Sequence, residues 1–421
     1  MEMESTPVAQ GARGRVSWKS LGVALATFGP GLIVMLADTD AGCLVTAAQS
    51  GAQWGYAMVL PQLLLIPILY LIQEITVRLG AVTGKGHGEL IRERFGMKWA
   101  VVSVSTLFLS AVGALVTEFT GIAGVGNLFG IPPWFSVSVA TVLLVVLGLT
   151  GSYRRVERIG IAVGLFELLL IVVALMAHPE PGEVMRGLAT VPWHDASYVY
   201  LLAANVGAVI MPWMIFYQQG AVVDRRLTAS ALKGLRWDTF IGSIVTQMIM
   251  IATVVVIAAT IGHQHPNQSL DTVEQIADGL VPYLGSFGGK VIFGLAMLGA
   301  SFVAALVVSL AGAWGVGEVF GFNHSVNHSF REAKWFYIIY TAAHVGGALL
   351  VFSGINLVRL DVDTEVMNAL LLPLVLGFLL LLEAKVLPPQ WRMKGLHKWV
   401  VWALSVVIMG FGLYMGVQLL L

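Results

Sequence analysis

Charge is scarce in this chain. Asp, Glu, Lys and Arg make up 11% of its 421 residues, against 57% hydrophobic residues and a mean hydropathy of +0.83, which excludes a water-soluble surface. Cysteine is nearly absent: Cys43 alone rules out intramolecular disulfides and Cys-built zinc or iron–sulfur scaffolds. The chain also lacks a phosphate-binding glycine loop with its lysine, a nucleophile elbow and paired metalloprotease histidines. An ATP-driven pump or an intramembrane hydrolase would therefore have no machinery, so no enzyme is expected. Residues 1–20 carry Arg13, Arg15 and Lys19 but no short apolar core with a small-residue cleavage site, and read as a cytoplasmic tail rather than a signal peptide. No bound cofactor, nucleic acid or obligate protein partner is expected; the bilayer is.

Long apolar runs are what the chain has. Eleven spans are expected near 21–52, 56–79, 98–129, 133–150, 158–177, 196–223, 237–262, 290–320, 334–354, 364–386 and 398–420, so residues 21–421 form one all-α transmembrane domain. All but Arg186, Lys290 and Arg359 of the 24 lysines and arginines then fall on one side. By the positive-inside rule the N-terminus is cytoplasmic and the C-terminus external, in the plasma membrane.

Two spans are interrupted. Span 1 contains Ala37-Asp38-Thr39-Asp40-Ala41-Gly42-Cys43, and span 6 contains Gly207-Ala208-Val209-Ile210-Met211-Pro212-Trp213. Interrupted helices at the first position of each five-span half indicate inverted repeats of spans 1–5 and 6–10, with the substrate site where the breaks face each other. An aspartate at a helix centre in the bilayer costs about 2.5 to 3.5 kcal/mol, so Asp40 is expected to join freed carbonyls around a cation. Pro212 removes the donor for the carbonyl four residues back, making the Ala208 carbonyl a candidate ligand, and Ala41-Gly42 is expected to supply backbone permissiveness. Met211 is either a soft ligand, favouring manganese or iron, or a packing residue.

The other acids divide by position. Glu365, at the expected start of span 10, could add an oxygen to the cation path, with Asp361 and Asp363 as an acidic external mouth or as helix-start acids. Asp38 is either a second pocket carboxylate or a vestibule residue, and Ala37, Trp213 and Glu118 are candidates for the metal path. Glu118, Glu167 and Glu318 lie in apolar surroundings, Glu118 and Glu318 reading chiefly as interhelical partners. The histidine pairs His263/His265 and His324/His328 read as solvated loop residues, and His344 as a hydrogen-bonded helix residue.

At these residues the chain resembles the NRAMP family of divalent-metal transporters. The resemblance runs through Phe28-Gly29-Pro30-Gly31, Asp40-Ala41-Gly42-Cys43 and Ser50-Gly51-Ala52-Gln53-Trp54-Gly55-Tyr56 in span 1. It continues in Leu79-Gly80 with Thr83-Gly84, in Thr117-Glu118 through Leu128-Phe129-Gly130-Ile131-Pro132, and in Gly207 through Pro212. It implies a LeuT-type fold and a metal site at Asp40, position 43, Ala208 and Met211. Against the family pattern, Cys43 replaces the metal-binding asparagine, Trp213 and Gln218 replace two histidines, Leu115 an aspartate, and Glu365 a glutamine. Loss of the proton-linked residues and gain of a carboxylate is similar to the NRAMP-related magnesium transporters, which carry magnesium and manganese without proton coupling. The expected function is uptake of Mg2+, and also Mn2+, by alternating access. A proton-coupled Mn2+/Fe2+ importer using Glu118, or an organic-solute symporter on the same fold, are the alternatives.

Overall fold

Polar side chains interrupt span 1 by competing for the backbone. In the computed structural model, which describes residues 29–264, 268–352 and 357–420, α1 (Pro30–Asp38) ends and α2 (Ala41–Trp54) begins across Thr39 and Asp40. Thr39 (φ −83°, ψ 46°) turns its hydroxyl back onto the Leu36 carbonyl at 3.1 Å, and Asp40 (φ −64°, ψ 179°) N-caps α2 by accepting from the Cys43 N–H at 2.8 Å. Each side chain thus replaces a helical hydrogen bond with a local one. The break is narrower than expected. Ala37 and Asp38 still belong to α1, and Ala41 and Gly42 already to α2, so Gly42 is not there for backbone freedom.

The chain continues through a 3-10 turn, Gly55–Met58, into α3 (Val59–Thr83), α4 (His87–Phe95), α5 (Met97–Leu128) and α6 (Pro133–Gly148). Next come α7 (Tyr153–Gly164), a 3-10 turn Leu165–Leu168, α8 (Leu169–Met176) and α9 (Pro181–Leu188). Span 6 is again two helices, α10 (Ala196–Val209) and α11 (Pro212–Asp224), separated by non-helical backbone at Ile210 and extended backbone at Met211. Pro212 sits at the first turn of α11, where its missing N–H costs nothing. After these come α12 (Leu232–Ile257) with a π-turn Ala258–Gly262, α13 (Val273–Asp278), α14 (Val281–Phe320), α15 (Lys334–Val351), α16 (Leu357–Val386) and α17 (Gly395–Gln418).

Eight stretches among the described residues are long and apolar enough to cross a membrane, and Pro133–Gly148 is a shorter apolar helix. Expected spans 4 and 9 are helical over α6 and α15 but fall outside those eight. Three short helices, α4, α9 and α13, fall outside the expected spans. α4 carries Glu89 in its first turn and Arg92 and Arg94 in its last, matching the helix dipole, and α13 is set by a Thr272/Gln275 capping box. Span 8 begins earlier than expected, at Val281, with a kink at Gly285 (φ 70°). The tail 1–20, residues 21–28 with Phe28, and His265 lie outside the described residues.

Packing brings the two breaks together. α10 lies along α16, α2 touches both, and α12 holds α1, α2 and α3. Gly207 is required there. A Cβ on it would overlap the Glu365 carbonyl oxygen and come 2.8 Å from the Ala369 nitrogen, so only glycine lets α10 meet the α16 backbone. At the other end of α1, Asp238 on α12 accepts from the N–H groups of Gly29, Gly31 and Leu32 at 3.1, 2.7 and 3.1 Å. Three of the orphan donors of a helix N-terminus are satisfied by one buried carboxylate. Arg225 pairs with Glu157 at 3.0 Å and the Tyr153 and Tyr217 hydroxyls meet at 3.2 Å.

Candidate metal site

Between the breaks, ligand atoms of Asp40, Cys43 and Glu365 lie within 4.8 Å of one another, all three residues buried. Each is placed by local chemistry. Asp40 is fixed as the α2 cap, Cys43 stands one turn on, and Glu365 comes from α16 against Gly42, whose missing Cβ makes room for the Glu365 carboxylate. Gly42 therefore serves packing. Glu365 is two turns inside α16 rather than at a helix start, and Asn368, one turn on, donates from Nδ2 to its Oε2 at 3.0 Å. Asn368 in turn accepts from Ser110 at 2.7 Å, so a polar pair from α5 and α16 orients the carboxylate.

Carboxylate oxygens are left bare here. Asp40 Oδ2, Glu365 Oε1 and both oxygens of Asp38 are buried with no hydrogen-bond partner among the described residues. None of these acids has a Lys, Arg or His partner in the ion pairs of the described residues. Bare buried carboxylate oxygens of this kind are ligands that a cation could use, and an ionised carboxylate left without a partner there would cost several kcal/mol.

The sulfur atoms are differently placed. Cys43 Sγ donates to the Ala208 carbonyl at 3.1 Å, the acceptor that Pro212 leaves without a helical donor. The Met211 thioether accepts from Trp213 Nε1 at 3.1 Å. Met211 and Trp213 are fully buried beside the site but are engaged with each other, and Ala37 is buried in the last turn of α1. Glu118 turns Oε2 to the Ala41 N–H at 3.2 Å, adding a second acid to the N-terminus of α2.

One expectation about acids needs correction. Asp361 does not form an external mouth: it is buried and accepts from Thr120 at 3.0 Å, because α16 starts earlier and carries it inside. Asp363 is exposed, bonded by the Tyr200 hydroxyl at 2.5 Å and 3.8 Å from Arg359. It lines a polar cavity of about 490 Å3 with Gln49, Gln53, Tyr200 and Asp271, which opens beyond α2 on the side away from Asp238. Glu318 is an interhelical partner as expected, accepting the Gly88 N–H at 2.8 Å, and His344 bonds the Tyr340 carbonyl at 2.9 Å and Ser309 at 3.3 Å.

Residues 31–418 match the model of the family described as natural resistance-associated macrophage protein-like. The chain belongs to this family. Members of the macrophage-protein-like family are transporters, not enzymes. Curated relatives named divalent metal cation transporter MntH include that of Brucella suis, 28% identical over 69% of this chain and 66% of that protein. The MntH of Verminephrobacter eiseniae is 27% identical over 84% of this chain and 80% of its own length. Among solved structures, the Eremococcus coleocola manganese transporter superposes with a TM-score of 0.75 over 97% of this chain and 88% of that one, at 19% identity. MhsT in complex with L-phenylalanine gives 0.60 over 96% and 99%, at 15% identity. The architecture is the LeuT-type fold, in which broken helices face each other at mid-depth.

Where the chain departs from the family pattern, the structure supplies other partners. Gln218 accepts from Thr76 at 3.1 Å and donates to Thr239 at 2.9 Å, fastening α11 to α3 and α12. Leu115 is buried and borders an apolar cavity between α5, α14 and α15. Two features escape sequence reasoning. Asn368 is detectable only as a polar residue one helical turn from Glu365. Glu167 reads from the sequence as no more than a buried acid; its contact with the Thr39 hydroxyl depends on the 3-10 turn between α7 and α8.

Proposed function

We propose that the chain mediates uptake of Mg2+, with Mn2+ as a second substrate, across the plasma membrane by alternating access and without proton coupling. One observation carries this reading: the donors left free between the breaks are carboxylate oxygens, while both nearby sulfur atoms are already engaged. Free oxygen donors suit a hard ion that keeps part of its water shell, held through one or two carboxylates. In this scheme eleven spans cross the membrane with the N-terminus cytoplasmic. The ion enters through the polar cavity at Asp363, is held by Asp40 and Glu365 with the Ala208 carbonyl and Cys43 beside them, and leaves as α1 and α11 move. Membrane potential supplies about 4.6 kcal/mol per 100 mV for a doubly charged ion.

Absence of proton coupling is supported by the residues at the path. Trp213 and Gln218 stand at the positions where the family resemblance places histidines, and neither titrates near neutral pH. A second reading, Mn2+ as the main substrate, draws on Cys43 in the ligand triad and on the printed names of the relatives.

The test is uptake into liposomes holding the purified full chain, with Mg2+, Mn2+, Ca2+ and Cd2+ in competition and a lumenal pH dye. Mg2+ uptake with no acidification, abolished in Asp40→Ala, is the expected result. Metal-dependent acidification, or uptake of Mn2+ without Mg2+, overturns the corresponding part of the reading.

A further inference from the structure

We infer that Asp38, Thr39 and Glu167 form a second cation station at the C-terminal end of α1, next to the Asp40 site. Glu167 sits in the 3-10 turn between α7 and α8, and its Oε2 accepts the Thr39 hydroxyl, so the side chain reaches the interruption in span 1. Its other oxygen, Oε1, is buried without a partner, as are both oxygens of Asp38, which lies in the field of Asp40, Glu365 and Glu167. Glu167 is fully enclosed and Asp38 is 1% exposed, so water does not screen them.

Helix polarity separates this pair from the acids opposite. The positive N-terminus of α2 is met twice, by Asp40 at the Cys43 N–H and by Glu118 at the Ala41 N–H. The C-terminus of α1 is itself partially negative, and it carries Asp38 and faces Glu167. Nothing positive among the described residues offsets that end. A single dication balances two negative charges, fewer than the four carboxylates of Asp38, Asp40, Glu167 and Glu365 gathered around the interruption.

The donors are all oxygen: two carboxylates and a hydroxyl. No sulfur takes part, so the station suits a hard cation. An ion leaving Asp40 toward the Asp238 end of α1 would find its next ligands here. The inference extends the transport reading and rests on it for the identity of the ion.

Mn2+ alone, as the spin probe, tests it on the purified full chain by equilibrium dialysis and electron paramagnetic resonance. Two Mn2+ per chain with a dipolar-broadened spectrum are expected in the unmodified protein. Glu167→Gln, which keeps an oxygen for the Thr39 hydroxyl, should bind one ion with a narrow hyperfine spectrum, and Asp38→Asn should do the same if the first variant fails to fold. Asp40→Asn should also retain one. If the unmodified chain binds a single Mn2+ that Asp40→Asn loses and Glu167→Gln and Asp38→Asn keep, the second station is refuted while the transport reading stands. If it binds none, both fall.

Discussion

Replacing Glu365 with glutamine removes one negative charge from the site while leaving its shape. The new amide can keep an oxygen for Asn368 Nδ2, now 3.0 Å from Glu365 Oε2. The change then falls on the other atom: Oε1, buried and without a partner, becomes an amide nitrogen whose hydrogens point where the cation should sit. A dication about 4 Å from a unit charge at an effective dielectric of about 20 gains roughly 8 kcal/mol, most of it offset by dehydration. Truncating one partner of a buried charge pair costs about 2 to 5 kcal/mol. At about 3 kcal/mol, apparent Mg2+ affinity should fall by roughly two orders of magnitude. Mn2+ can draw on Cys43 Sγ within the same cluster, and its loss should stay near tenfold, about 1.4 kcal/mol. Concentration-dependent uptake of each ion by the variant in liposomes reads both numbers. Equal losses for Mg2+ and Mn2+ would show that the charge at residue 365 does not select the ion, and with it the case for magnesium fails.

Cys43→Ala should leave Mg2+ uptake within about threefold, less than 1 kcal/mol, while weakening Cd2+ competition more, since only the sulfur is lost; parallel loss of both would make the thiol a magnesium-path residue. Gly207→Ala should destabilise the purified protein by about 1 to 3 kcal/mol, because the new methyl meets the Glu365 carbonyl and the Ala369 nitrogen. An unchanged thermal unfolding curve would mean that α10 and α16 do not meet that closely. Asp238→Asn should lower the unfolding temperature through weaker bonding of three α1 N–H groups, with a cost of about 1.5 to 3 kcal/mol. An equal loss in a variant at the exposed Asp363 would refute a specific capping role.

Membrane class, the places of most spans and both interruptions were legible because they depend on local composition: apolar runs of bilayer length, an aspartate with no solvent, a proline that withdraws a donor. Asp40 and the Ala208 carbonyl followed from those interruptions and Cys43 from the family resemblance, and they meet between the breaks. What could not be read was which side chains face one another across helices. Asp361 and Asp363 are two residues apart in sequence, yet one bonds Thr120 in the interior and the other Tyr200 at the surface, because two residues span about 200° of a helical turn. Met211 stands in the right segment, but its sulfur was free to turn to Trp213, a choice that backbone position does not make.

The amino-acid sequence by itself determined that this protein lives in a bilayer, that two of its helices are interrupted, and that an acid lies at one interruption. Those are consequences of transfer energies and of backbone donors present or missing within a few residues. Tertiary structure alone decided that Glu365 arrives through the gaps left by Gly42 and Gly207, that Asn368 orients it, and that Glu167 reaches Thr39. Such contacts arise between helices far apart along the chain, where close packing rather than local preference selects the neighbour.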